Sequence, residues 1–211
     1  MASGPTPAPV HTPPTVVTSD RPIGNAAVSA SARIFYTIHP ESNPEPPFVY
    51  EWTATGPQPF PATGQAVMFE SPLGVVIDRR GWLWVIDPAH HGTATPRLVA
   101  LDTATGDVSE IPVDGPLTGF LDGIAMQGKT LYIMTPYDFP GPPVSIDRIQ
   151  VVELDKDYLA GKLVDTITDP DNLDGVASGA IFGSYLYVNN ARYANFPEPT
   201  TPYALTRIKI R

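Results

Sequence analysis

"LDGIAMQGKTLYIM" (Leu121–Met134) and "LDGVASGAIFGSYLYV" (Leu173–Val188) are nearly the same phrase written twice. Each opens on Asp-Gly, runs through alternating small and apolar residues, turns at a polar or glycine pair, and returns through a second run with an aromatic residue. Two alternating runs joined by a tight turn predict a β-hairpin. Two further segments fall into the same register, "IGNAAVSASARIFYTIHP" from Ile23 and "LGVVIDRRGWLWVIDP" from Leu73. Aligned on Gly24, Gly74, Gly123 and Gly175, the four are spaced by 50, 49 and 52 residues. A period near 50 residues marks a repeat architecture.

After each hairpin and a proline-rich loop comes a third run, "FVYEWT", "RLVALD", "RIQVVELD" and "YALTRIKI"; a fourth follows in two repeats as "VSEIPV" and "LVDTIT". Four antiparallel strands per repeat predict a propeller blade, because such a small sheet buries its faces only against neighbouring blades. The expected fold is all-β, a small β-propeller of about four four-stranded blades. The last repeat stops after its third run, so "PTVVTSD" (Pro14–Asp20) is expected to supply the missing strand and close the ring.

The chain has 211 residues, which suits one domain: a Pro-rich arm over 1–14, extended or mobile, and a propeller over 15–211. Its 26 prolines and 17 glycines are spread along the sequence, as many short strands require, and no stretch reads as a convincing helix. Thirteen basic against 22 acidic residues give a formal charge of −9, which argues against nucleic acid or an anionic membrane as partner. The absence of cysteine excludes disulfides, thiolate metal sites and a cysteine nucleophile. No apolar run reaches membrane-spanning length and the first residues do not read as a signal peptide, so a soluble chain is expected, its compartment open; a chain from which a leader had been removed would read the same way. No phosphate-binding glycine loop, GxSxG elbow or helical zinc-histidine pair is present.

These repeats resemble the β-propeller superfamily of senescence marker protein, gluconolactonase and luciferin-regenerating enzyme, with similarity to the yellow and royal-jelly proteins. "LGVVIDRRGWLWVIDP" with "PRLVALDTATGDV" is similar to the yellow-related bacterial proteins, and "LDGVASGAIFGSYLYVNN" to the lactonase group. The resemblance implies six blades, so a partial six-bladed propeller is the alternative to a closed four-bladed ring. It also implies one divalent cation at the axis, Ca²⁺ first, held by residues just before the inner strands. Here those are Ile23, Leu73, Asp122 and Asp174; the family's glutamate falls on Ile23 and is absent.

In a propeller the start of each innermost strand and the loop between its second and third strands open on one face, and loops on a rigid scaffold are where function usually sits. Asp122 and Asp174 are therefore the candidate metal ligands and, with His90 and His91, the candidate catalytic residues. Either aspartate could instead fix the turn into its own strand. His39, Tyr137, Asp138, Asn189, Asn190, Arg192 and Tyr193 are candidate substrate-binding residues, suited to a polar ring or a carboxylate. Trp82 and Trp84 point to one side of their strand and are read as blade packing. The resemblance implies a lactonase-like small-molecule hydrolase with a divalent cation and no organic cofactor. A non-catalytic ligand- or protein-binding propeller and a metal-free isomerase or cyclase stand as alternatives, and a monomer or small homo-oligomer is expected.

Overall fold

The computed structural model describes residues 16–137, 147–192 and 203–210. The first blade consists of β1 (Ile23–Val28), β2 (Ile34–Ile38), β3 (Val49–Thr53) and β4 (Gly56–Pro59), hydrogen-bonded in that order. The second has β5 (Val75–Ile77), β6 (Trp82–Asp87), β7 (Arg97–Asp102) and β8 (Val108–Glu110). A two-residue strand, β9 (Val113–Asp114), crosses to the third blade, made of β10 (Ile124–Gln127), β11 (Thr130–Thr135), β12 (Arg148–Leu154) and β13 (Gly161–Ile167). The fourth blade has three strands, β14 (Val176–Phe182), β15 (Tyr185–Asn190) and β16 (Ala204–Lys209). Four small sheets thus form a four-bladed β-propeller, as the repeat spacing predicts.

Three features depart from the expectation. β4 is a strand that the sequence reading passed over, because "GPQP" carries two prolines; proline is tolerated there because β4 is the outer edge of its sheet. "VSEIPV" does not stay in one blade: Val108–Glu110 pairs with β7, whereas β9 pairs in parallel with β13 and covers the third blade's edge. The expected closing strand is not formed among the described residues. Val16–Asp20 lies outside every sheet, and Val17 packs on Tyr36, Ile38 and Tyr50 of the first blade instead of extending the last; Pro14 and Thr15 lie outside the described residues. The arm over 1–14 also lies outside them. Among the described residues the two α-helical segments are single turns, α1 (Gln65–Met68) and α2 (Ala89–Gly92), and no helix there is long and apolar enough to cross a membrane.

Among the described residues the core lies in three layers between blades, with a smaller buried cluster of Tyr36, Ile38 and Tyr50 on the other side of the first blade. Phe35 and Val49 meet Val75, Leu83 and Val85 between the first two blades. Trp84, Ile86 and Leu98 meet Ile124, Leu131 and Ile133 between the second and third. Tyr132, Met134 and Ile149 meet Val176, Leu186 and Val188 between the third and fourth. Successive side chains on one strand leave by opposite faces, so each alternating run serves two layers. Trp84 is fully buried and donates its indole N–H to Asp78, 3.1 Å away, and Trp82 packs against the same layer.

The repeat glycines mark where inner strands come closest. A methyl on Gly74 would lie 2.5 Å from the Asp122 carbonyl oxygen, one on Gly24 would lie 2.9 Å from Leu73, and one on Gly123 would strike the Ala177 carbonyl. Gly175 differs: its φ of 70° is left-handed, a conformation that only glycine adopts readily. These contacts place β1, β5, β10 and β14 side by side, with the strand starts and the described loops 39–48 and 88–96 on one face.

Candidate functional site

The loop-bearing face carries two clusters of charged side chains. The first lies between the first and second blades and is built around Asp87, the last residue of β6. Its buried carboxylate accepts hydrogen bonds from the backbone N–H groups of Glu70 (2.9 Å), Ser71 (2.9 Å) and Ala89 (3.0 Å), and from the Arg97 guanidinium at 2.6 Å. A buried charge satisfied on four sides is a structural anchor. It holds the approach to β5, the start of α2 and the first residue of β7 together.

Around that anchor, Nε2 of His90 lies 3.2 Å from Oε2 of Glu70, and the Arg97 guanidinium is 3.8 Å from the other Glu70 oxygen. Ala89 and His90 have φ of 47° and 44°, a left-handed backbone that non-glycine residues seldom adopt and that clusters at functional sites. Beside Glu70 a cavity of about 210 Å³ opens toward solvent, lined by Ile38, Phe48 and three prolines together with Asn43, Glu45, Glu70 and Ser71. Asn43 is also left-handed (φ 48°) and closes the 3-10 turn Pro40–Ser42. Of the predicted residues, His90 joins this cluster. His39 borders it but caps the 3-10 turn, its Nδ1 accepting from the Glu41 N–H at 3.3 Å. His91 lies in α2, and its side chain is outside the described ones.

The second cluster lies where the chain enters the fourth blade. Asp174 is paired with Arg192, Nε to Oδ2 at 2.7 Å. Asp147 stands nearby and accepts from the N–H groups of Gly175 (2.7 Å) and Val176 (3.0 Å). Burial raises the Asp147 carboxyl above the usual carboxylate range, those two N–H bonds oppose the shift, and the Asp174 charge adds to it. Asn190 is engaged in the blade: its amide donates to the Asn172 carbonyl (2.9 Å) and the Thr206 hydroxyl (3.0 Å) and accepts from the Asp174 N–H (3.3 Å). Asn189 accepts from the Ser178 N–H and hydroxyl. Tyr137 stacks on Phe120 with ring centres 4.9 Å apart. Asp122 donates its N–H to the Met134 carbonyl and turns its own carbonyl toward Gly74. Asp138 and Tyr193 lie outside the described residues.

The divalent cation that the resemblance implies would have to be held by Asp122 and Asp174. Asp174 directs an oxygen to a guanidinium, and among the described residues no three His, Asp or Glu side chains group as metal ligands. Sequence reasoning missed Glu45, Glu70, Asp87, Arg97 and Asp147. Of these Asp87 had a signal: "WVIDP" repeats the position of "YIMTP", where the equivalent Thr135 is also buried and hydrogen-bonded, to Gln150.

No family model matches the chain, and no curated protein matches it. Solved structures do. Hydrazine synthase of Kuenenia stuttgartiensis is 16% identical with a TM-score of 0.57, covering 95% of this chain and 49% of that one. A chain of a nidogen/laminin complex is 14% identical with a TM-score of 0.57, covering 85% and 60%. The computationally designed Ika4 protein is 10% identical with a TM-score of 0.50, covering 95% and 100%. The chain therefore spans about half of the first match and three fifths of the second. At such identity the likeness shows the fold alone.

Proposed function

We propose that the protein is a binding propeller that takes a small polar molecule on its loop-bearing face, in the cavity between the first and second blades. The observation that supports this reading is that cavity: about 210 Å³, lined by the polar Asn43, Glu45, Glu70 and Ser71 beside the apolar Ile38 and Phe48. A concave site that mixes apolar side chains with a few polar groups is the usual anatomy of a ligand site. Its volume suits a ligand the size of a monosaccharide or a small amine, and carboxylate walls favour one that donates hydrogen bonds. Asp87 and Arg97 hold the Glu70 wall in place, so the site is preorganised before the ligand arrives.

The test is the melting midpoint of the protein with monosaccharides, polyols and small amines at millimolar concentration, repeated on Glu45→Gln and Glu70→Gln. A ligand bound only by the folded state raises the midpoint. The proposal expects a rise that both substitutions reduce. No rise with any of the three classes, or a rise indifferent to both substitutions, overturns it.

A second reading, a lactonase-like hydrolase, is favoured by the second cluster, where Asp147 with its raised pKa lies beside the arginine-paired Asp174. Two carboxyls in unlike environments are the arrangement that acid and base roles require. Lactone hydrolysis lost in Asp147→Asn would favour this reading over the first.

A further inference from the structure

We infer that the cavity between the first and second blades selects organic ammonium ions, the ammonium docking on Glu70 in place of His90; this rests on the reading of that cavity as a ligand site. Its charged lining residues are Glu45 and Glu70, and no lysine, arginine or histidine lines it. The nearby guanidinium groups are committed elsewhere. Arg97 is held by the buried Asp87 at 2.6 Å and stands 3.8 Å from Glu70. Arg21 donates to the Glu45 and Pro47 carbonyls and to the Tyr50 hydroxyl, not to the Glu45 carboxylate. Ile38, Phe48 and three prolines make most of the remaining lining apolar. Carboxylates beside apolar surface match an ammonium carried on a hydrocarbon body, which uses both parts of the lining.

His90 marks the place of the ammonium. Its Nε2 lies 3.2 Å from Oε2 of Glu70, so a nitrogen already stands where a ligand nitrogen would bind. The His90 side chain is 70% exposed, and little packing holds it there. It keeps that place on a left-handed backbone, with φ of 47° at Ala89 and 44° at His90, a conformation that costs free energy in residues other than glycine. Glu70 itself stays put during an exchange, because its backbone N–H is fixed on Asp87 at 2.9 Å. A ligand ammonium can therefore replace His90 on a carboxylate that is already positioned. An alcohol of the same shape gains less from that exchange, since its hydroxyl makes a weaker bond to the carboxylate than a charged N–H does.

The experiment is calorimetric titration of the full chain at constant ionic strength and about pH 7.5, where alkylammonium ions stay charged. Butylamine, cyclohexylamine and benzylamine are each compared with the alcohol of the same skeleton. Each amine is expected to bind about tenfold tighter than its alcohol. Glu70→Gln keeps the backbone N–H that Asp87 holds, so it should fold and bring each amine and its alcohol to nearly equal affinity. His90→Ala removes the competitor and should tighten amine binding by about threefold. An alcohol that binds as tightly as its amine overturns the inference and leaves the ligand site standing. So does weaker amine binding in His90→Ala, which would make His90 a ligand contact, or displacement of the amines by equimolar Ca²⁺, which would mark a metal-ion site. Silence from all three amines overturns it too, and only if sugars and polyols also leave the melting midpoint unmoved does the ligand site fall with it.

Discussion

Nε of Arg192 lies 2.7 Å from Oδ2 of Asp174, across the mouth of the fourth blade's inner hairpin. Arg192 has a left-handed backbone (φ 55°), and its N–H donates to the Asp174 carbonyl. The pair therefore closes the hairpin at backbone and side chain together. One oxygen of an aspartate that the sequence predicts as a cation ligand is thus held by a guanidinium.

Because the Asp174 side chain is 45% exposed, solvent screens the ion pair, and Arg192→Ala is expected to cost less than about 1 kcal/mol. Urea midpoints of the two proteins check this. The same variant probes the metal question. If the axis can hold Ca²⁺, releasing Asp174 should make the melting midpoint respond to Ca²⁺ in Arg192→Ala more strongly than in the wild type.

Asp147 should leave a signature in the pH dependence of stability. Burial raises its folded pKa, so the folded state holds the proton more tightly than the unfolded chain does. That contribution is fully present below the unfolded value and is lost as pH rises through the folded one. Asparagine can still accept from Gly175 and Val176 without a charge to desolvate. Asp147→Asn is therefore expected to be as stable as the wild type or more so near neutrality, the gap vanishing in acid. Urea midpoints from about pH 3 to pH 7 would show it.

Asp87→Ala should be among the most damaging single changes. It leaves the Glu70, Ser71 and Ala89 N–H groups and the Arg97 guanidinium without their shared acceptor, at a cost of about 3–5 kcal/mol. Chemical denaturation measures the loss, and Asp87→Asn, which keeps an acceptor, should recover part of it.

Gly74→Ala tests the close approach at the axis. The added methyl would press on the Asp122 carbonyl and Ile86, both in packed surroundings, so a loss of about 1–3 kcal/mol is expected. Gly128→Ala is the contrast, since that turn glycine has open space around it and only its φ of 61° to strain. Denaturation midpoints should rank Gly74→Ala as the costlier.

The sequence by itself determined the blades. Its glycine period, its alternating runs and the buried Trp84 are local or repeating signals, and each strand keeps them because side-chain alternation must feed two layers at once. Edges and junctions were less legible. β4 hides behind prolines that only an edge strand tolerates, β9 changes blades within one apolar run, and Val17 packs on the first blade although the sequence predicts a strand of the last one there. The site was half legible. His90, Asp174 and Arg192 were named, but their partners Glu70 and Asp147 stand 20 and 27 residues away in the chain and carry no local motif. Whether a loop carboxylate faces a cation, a guanidinium or a buried N–H depends on which distant loop the blade stacking brings beside it. Only the tertiary structure decided that.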